Sequence, residues 1–185
     1  MEVTLIQPSL GRKNGKKFMR PWTLEPLNIM TLAGLTPSGV DITFYDDRIE
    51  EINYDRKTDL VGISVETSTA LRSYEIAKHF KERGVPVVLG GVHPTLMPEE
   101  CLTHANSVVI GQAENIWSAL IEDFKESKNR KFYSQDASDM TKIRASRKVL
   151  NGKRYLPFKL VEYGRGCQFS CEFCDIPVYF NVEYN

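Results

Sequence analysis

An α/β domain built on a parallel sheet is the fold this sequence predicts, and three observations predict it. Short apolar runs recur at residues 3–7, 40–45, 60–65, 85–89 and 107–110. Amphipathic stretches lie between most of them, with apolar residues at helical spacing. The run 60–65 is apolar almost throughout, as in a strand buried on both faces. Strands alternating with helices give a parallel sheet covered on both sides. Five such strands fit a Rossmann/flavodoxin-like domain in the order 2-1-3-4-5.

Residues 3–7 form the first strand, ended by Pro8-Ser9. Residues 11–17 are a basic, glycine-containing loop. A helix starts near Glu25-Pro26, with proline in its first turn. It runs through Leu27, Met30 and Leu32 and stops at Thr36-Pro37-Ser38-Gly39. The second strand places Val40, Ile42 and Phe44 on one face and ends at Asp46-Asp47-Arg48, which reads as a solvated, partly paired loop rather than a metal site or a receiver-type phosphorylation pocket. The third strand leads into Glu66-Thr67-Ser68-Thr69, which supplies a helix cap. The helix that follows buries Ala70, Tyr74, Ala77 and Phe80, and Gly84 ends it.

The fourth strand runs into Gly90-Gly91-Val92-His93-Pro94-Thr95. Pro98-Glu99-Glu100 then opens a short helix on which Cys101 is a small buried hydrophobe. The fifth strand ends at Gly111-Gln112-Ala113-Glu114. The last helix carries an apolar stripe of Ala113, Ile116, Trp117, Leu120, Ile121 and Phe124. Residues 128–157 are polar and basic and read as a linker. Residues 158–162 form a new strand. The units expected are therefore 1–127, 128–157 and 158–185.

Of the 185 residues, 42% are hydrophobic, which supports a packed core. Lys+Arg and Asp+Glu are both 24, so the chain lacks the basic footprint of a nucleic-acid-binding protein. No apolar run approaches the roughly 18 residues of a membrane span, and no signal peptide is evident. Four cysteines, three in one loop, point to a reducing compartment and hence the cytoplasm.

On such sheets ligands bind at the carboxyl ends of the strands. The loops there carry Ser9, Thr67, Gly90, Gly91, His93, Gly111 and Glu114, the candidate cofactor contacts. Several have a plainer reading: helix cap for Thr67, first-turn acid for Glu114, turn glycines for Gly90 and Gly91, and a loop-shaping histidine for His93. Neither G-x-G-x-x-G nor G-x4-G-K-[ST] occurs, so neither a dinucleotide site nor a P-loop is supported.

Cys167, Cys171 and Cys174 stand in the pattern C-x3-C-x2-C, after Gly164-Arg165-Gly166. Thiolates are soft ligands for iron–sulfur clusters and zinc. Full ligation of a 4Fe–4S cluster takes four thiolates, so three leave one iron open to substrate. A structural zinc site would want a fourth ligand. A Cys171–Cys174 disulfide would leave Cys167 without a role, and unliganded thiols so clustered would oxidise readily.

C-x3-C-x-aromatic-C after an Arg-Gly step resembles the cluster loop of the radical S-adenosylmethionine (SAM) enzymes. The resemblance implies that Cys167, Cys171 and Cys174 hold the cluster, that SAM chelates the fourth iron, and that Phe173 lies near the adenine. Reductive cleavage of SAM then gives a 5′-deoxyadenosyl radical. Residues 61–67, Gly111-Gln112-Ala113-Glu114 and, most specifically, the run 85–100 resemble the subfamily with an N-terminal cobalamin-binding domain, in its lipid-modifying, hopanoid-type methyltransferase branch. That implies cobalamin in residues 1–127, a small-molecule or lipid-like substrate, and methyl transfer to or modification of an unactivated carbon. The D-x-H-x-x-G motif is absent, as in many members of that subfamily. The SAM domain of the family is a partial (β/α) barrel, of which only the first strand and cluster loop are expected here. A chain truncated there is expected to be inactive without the rest, and no catalytic residue is assigned. The alternative is a non-catalytic small-molecule-binding α/β module with a vestigial or zinc-binding cysteine loop.

Overall fold

The computed structural model describes residues 1–13, 16–17, 23–134, 143–169 and 171–180. Parts of the expected linker (135–142) and of the expected third unit (Ser170 and 181–185) lie outside the described residues.

β1 (Glu2–Gln7) pairs with β2 (Asp41–Asp46) on one side and β3 (Leu60–Ser64) on the other. β4 (Val87–Gly90), β5 (Ser107–Ile110) and β6 (Phe132–Ser134) continue the sheet. The order is β2-β1-β3-β4-β5-β6, with every pairing parallel. The expected order is therefore present, with a sixth strand in place of the expected five.

The extra strand comes from the stretch expected to be a linker. Phe132–Ser134 is too short to show a periodicity of its own. It becomes a strand because β5 offers a free edge, and Val108 takes Phe132 as its partner. Residues 158–162, expected as a strand, carry no strand assignment. Val161 is 84% exposed, and an extended segment with no paired neighbour among the described residues is not stable as a strand.

Alternation along the strands divides the core. Ile6, Val61, Ile63, Val87, Leu89 and Val108 meet α2 (Ala70–Glu82) and α4 (Pro98–His104), which contribute Tyr74, Ala77, Phe80 and Cys101. Val3, Leu5, Leu60, Val88 and Val109 meet α1 (Leu27–Leu35) and α5 (Trp117–Lys125). Large side chains such as Phe80 and Leu120, both essentially fully buried, each contribute about 1.5–3 kcal/mol from burial.

The segment 143–160 is strapped across α1 rather than hanging free. Leu150, in a 3-10 turn (Arg147–Leu150), joins the α1/α5 core. Glu25 accepts hydrogen bonds from both Arg147 and Lys159, each at 3.1 Å. The Tyr155 hydroxyl donates to Asp46 at 2.9 Å, and Lys153 pairs with Glu50. No helix among the described residues is long and apolar enough to cross a membrane.

Candidate cofactor site

The inner face that packs on α1 and α5 has a gap at its carboxyl end. On β3 and β4, positions 62 and 90 point to the same side as Leu60, Val88 and Ser64, and both are glycine. A cavity of about 270 Å³ opens there. Its floor is Gly62, Gly90 and Val109, and one wall is Leu27, Asn28 and Leu32 of α1. Trp117 of α5 closes the inner end. Its indole N–H donates to Thr36 at 2.9 Å, and a side chain on Gly62 would stand 3.5 Å from its ring.

Gly91 continues the floor into the next loop in a conformation only glycine takes easily, with φ of 115°. A Cβ there would lie 2.7 Å from the Val65 carbonyl oxygen. The loop is held from behind: the Val65 N–H donates to Gly90 at 2.7 Å, and the Gly111 N–H donates to the Thr95 hydroxyl at 2.8 Å. The cavity thus pairs an apolar interior with a few fixed polar groups. Asn28 donates to Ser64 at 2.6 Å and to Gln7 at 3.1 Å.

The charged edge of the cavity comes from two distant parts of the chain. Arg165 lies 2.5 Å from Glu114 and donates to Gln112 at 2.9 Å and to both oxygens of Glu162 at 2.8 and 2.9 Å. Its side chain is only 13% exposed. Burial opposes the charge, but Glu162 and Glu114 outweigh it and raise the guanidinium pKa. Tyr179 and Phe180, on the short helix α6 (Ile176–Phe180), line the same cavity. Burial, and then the Glu114 charge, push the Tyr179 hydroxyl pKa upward.

Gly90, Gly91, Gly111 and Glu114 thus line one cavity. The other candidates lie elsewhere. The Ser9 hydroxyl and N–H both donate to Asp47, at 2.5 and 3.2 Å. Thr67 is exposed in the 3-10 turn Thr67–Thr69, where the Thr69 hydroxyl, not Thr67, bonds the Glu66 backbone. His93, on α3 (Val92–Leu96), is 7% exposed, and its Nε2 lies 3.0 Å from the Tyr74 hydroxyl on α2.

Cys167 and Cys174 are partly buried and Cys171 is exposed. The Cys174 N–H donates to the Cys171 carbonyl at 3.0 Å, a tight turn between two of the thiols. Among the described residues no three His, Cys, Asp or Glu side chains are gathered closely enough to hold a metal ion. Phe173 is 93% exposed.

Sequence reasoning missed Asn28, Ser64, Glu162 and Arg165 as parts of the site. The alternation of β3 and β4 placed glycines and Ser64 on one face. That pattern was readable, but which helices cover the face was not.

The B12 binding domain family profile matches residues 23–121. This chain belongs to the B12-binding domain family. That domain makes up more than half of the chain and contains most of the cavity. The chain is 35% identical over 167 residues to bacteriochlorophyllide d C-8(2)-methyltransferase of Chlorobaculum tepidum, covering 83% of this chain and 36% of that protein. It is 29% identical over 167 residues to the C-12(1)-methyltransferase of the same organism, covering 86% and 37%. Hopanoid C-2 methylase of Rhodopseudomonas palustris is 25% identical over 163 residues, covering 83% and 30%. The chain thus spans about a third of the length of these curated relatives. Among solved structures, the fold is similar to that of TsrM from Kitasatospora setae, a radical SAM methyltransferase solved with cobalamin and a 4Fe–4S cluster. The TM-score is 0.50 at 18% identity, over 69% of this chain and 27% of that one.

The B12-binding domain offers groups that fit a corrinoid. At about 270 Å³ the cavity accommodates part of a corrinoid and not the whole macrocycle. Glycines at 62, 90 and 91 leave backbone where side chains would stand, and Asn28 and Ser64 offer amide and hydroxyl partners for a ligand rich in amides.

Proposed function

We propose that this chain is the N-terminal part of a cobalamin-dependent radical SAM enzyme that methylates or otherwise modifies an unactivated carbon of a small-molecule or lipid-like substrate. The observation that carries the reading is the meeting of two motifs at one cavity. The Gly111–Glu114 loop of the B12-binding domain is tied, through Arg165, to the segment that carries Cys167, Cys171 and Cys174. Relatives named as methyltransferases support the same direction.

In this reading residues 158–185 begin the radical SAM domain. When bound, the cluster and SAM supply a carbon-centred radical and the corrinoid supplies the methyl group. The chain's own residues do the holding. Cys167, Cys171 and Cys174 are the thiolates for the cluster, and Phe173 is the adenine neighbour. Gly90, Gly91, Gly111 and Glu114 form the corrinoid edge, while Ser9 and His93 act from behind it, through the loops they anchor, and Thr67 stands exposed in the turn after β3. Trp117 and the apolar wall of α1 exclude water from the buried end of the cavity. A cytoplasmic setting, where thiols stay reduced, suits the loop.

Anaerobic reconstitution with iron and sulfide tests the reading. About four irons and four sulfides per chain are expected, falling when any one of Cys167, Cys171 or Cys174 becomes alanine. Zinc bound in place of iron would favour the second reading, a non-catalytic small-molecule-binding module. The exposure of Cys171 and the ungathered thiols among the described residues fit only the form of that reading in which the cysteine loop is vestigial.

A further inference from the structure

The segment around Arg165 otherwise offers its apolar groups to solvent. Tyr163 is fully exposed, and Phe169 and Phe173 are 62% and 93% exposed. Against that background Arg165 is an exception. Its side chain is 13% exposed, and its guanidinium bonds three residues, of which Glu162 is local while Gln112 and Glu114 belong to the loop after β5. Glu114 is itself only 11% exposed. Charged groups this withdrawn from water are held by mutual pairing, and losing one leaves the other uncompensated. The planar fork of arginine suits simultaneous contacts of this kind, and lysine does not reproduce it.

Gly166 follows Arg165 with φ of 85°, and Cys167 comes directly after it. The last fixed point before the cysteine turn is therefore Arg165. We infer that Arg165 is a positioning residue, which seats the cysteine loop on the cavity edge through Glu114 and Gln112. The inference rests on the cofactor reading above for its purpose, though not for its geometry. A filled cavity would press on the Gly111–Glu114 loop and, through Arg165, steady the thiols. Two cofactors that must react together would then be held in register by one side chain.

The test is the alkylation rate of each cysteine by iodoacetamide, resolved by peptide mass spectrometry, on the anaerobically purified chain with and without cyanocobalamin, whose cyanide ligand keeps the cobalt from binding thiols directly. Cys101 is fully buried, so its silence reports that each variant remains folded. In Arg165→Met, the Cys167 rate without cobalamin is expected to rise about tenfold, the change that about 1.4 kcal/mol produces. Glu114→Gln should raise it too. The double variant should be no faster than Arg165→Met, because the two side chains act as one unit. Arg165→Lys should fall between wild type and Arg165→Met. Added cyanocobalamin should slow Cys167 in wild type and lose that effect in Arg165→Met. Unchanged Cys167 rates in Arg165→Met, additive single effects, or, where wild type binds cobalamin, equal protection of wild type and Arg165→Met would each overturn the inference. If wild type binds no cobalamin while the cobalamin-free pattern holds, the cofactor reading fails and the positioning role of Arg165 stands.

Discussion

The backbone carbonyl of Arg144 occupies the place where a side chain on Gly34 would stand. Close by, the Ser146 N–H donates to the Met30 carbonyl at 2.8 Å, so the strap crosses α1 in direct backbone contact. A helix-interior glycine ordinarily costs stability, and alanine restores about 1 kcal/mol. Here the sign should reverse. Gly34→Ala is expected to lose about 1–3 kcal/mol by forcing the strap off the helix. Urea unfolding measures it; a stabilised variant would show that the crossing is not close.

Asp47 and Arg72 form a buried pair, with side chains 1% and 13% exposed and a contact of 3.0 Å. Burial raises the Asp47 pKa, but hydrogen bonds from Arg72 and Ser9 outweigh it and hold the carboxyl below its usual range. A folded pKa below the unfolded value of about 3.9 means that this stabilisation is fully present above that value. It is lost as pH falls through the depressed folded pKa. Arg72→Met should cost about 3 kcal/mol at pH 7 and show a smaller loss on acidification than wild type. Urea midpoints from pH 7 to 3 check both.

Gly91 joins β4 to α3 at a φ that other residues avoid. Gly91→Ala adds backbone strain of about 1–3 kcal/mol and drives a methyl into the Val65 carbonyl, 2.7 Å away. Thermal unfolding should register the loss, and cobalamin affinity should fall with it. Retained affinity would place the ligand away from this loop.

His93 turns toward α2, where its Nε2 meets the Tyr74 hydroxyl, and it does not line the cavity. The Tyr74 hydroxyl still donates to Glu100 at 2.8 Å, so His93→Phe should cost only one net hydrogen bond, about 0.5–1.5 kcal/mol. The visible spectrum of bound cobalamin should not move. A shifted cobalt band would mean that the imidazole approaches the corrin after all.

The sheet was legible because its strands are apolar and separated by helices of ordinary length. Runs such as 60–65 and 107–110 carry their own signal. Phe132–Ser134 does not: three residues flanked by polar ones become a strand only when the edge of β5 is there to pair with. The reverse holds at 158–162, where β-forming residues lack a neighbour among the described residues. In the site, Gly90, Gly91, Gly111 and Glu114 were legible as strand-end residues. Arg165 was visible only as part of an Arg-Gly step. Its partnership with Glu114 spans 51 positions (165 − 114) and depends on where the chain returns after the strap, which no local pattern encodes.

Cobalamin titration of the purified chain, followed by visible absorbance and by the emission of Trp117 in a Trp22→Phe background, tests the central claim most directly. Trp117 lines the cavity and is 2% exposed, so its emission reports what enters there. Saturable one-to-one binding with quenching of Trp117 is the result expected. An absorbance spectrum and an emission that stay those of the free components at high cobalamin would contradict the assignment of the cavity to a corrinoid.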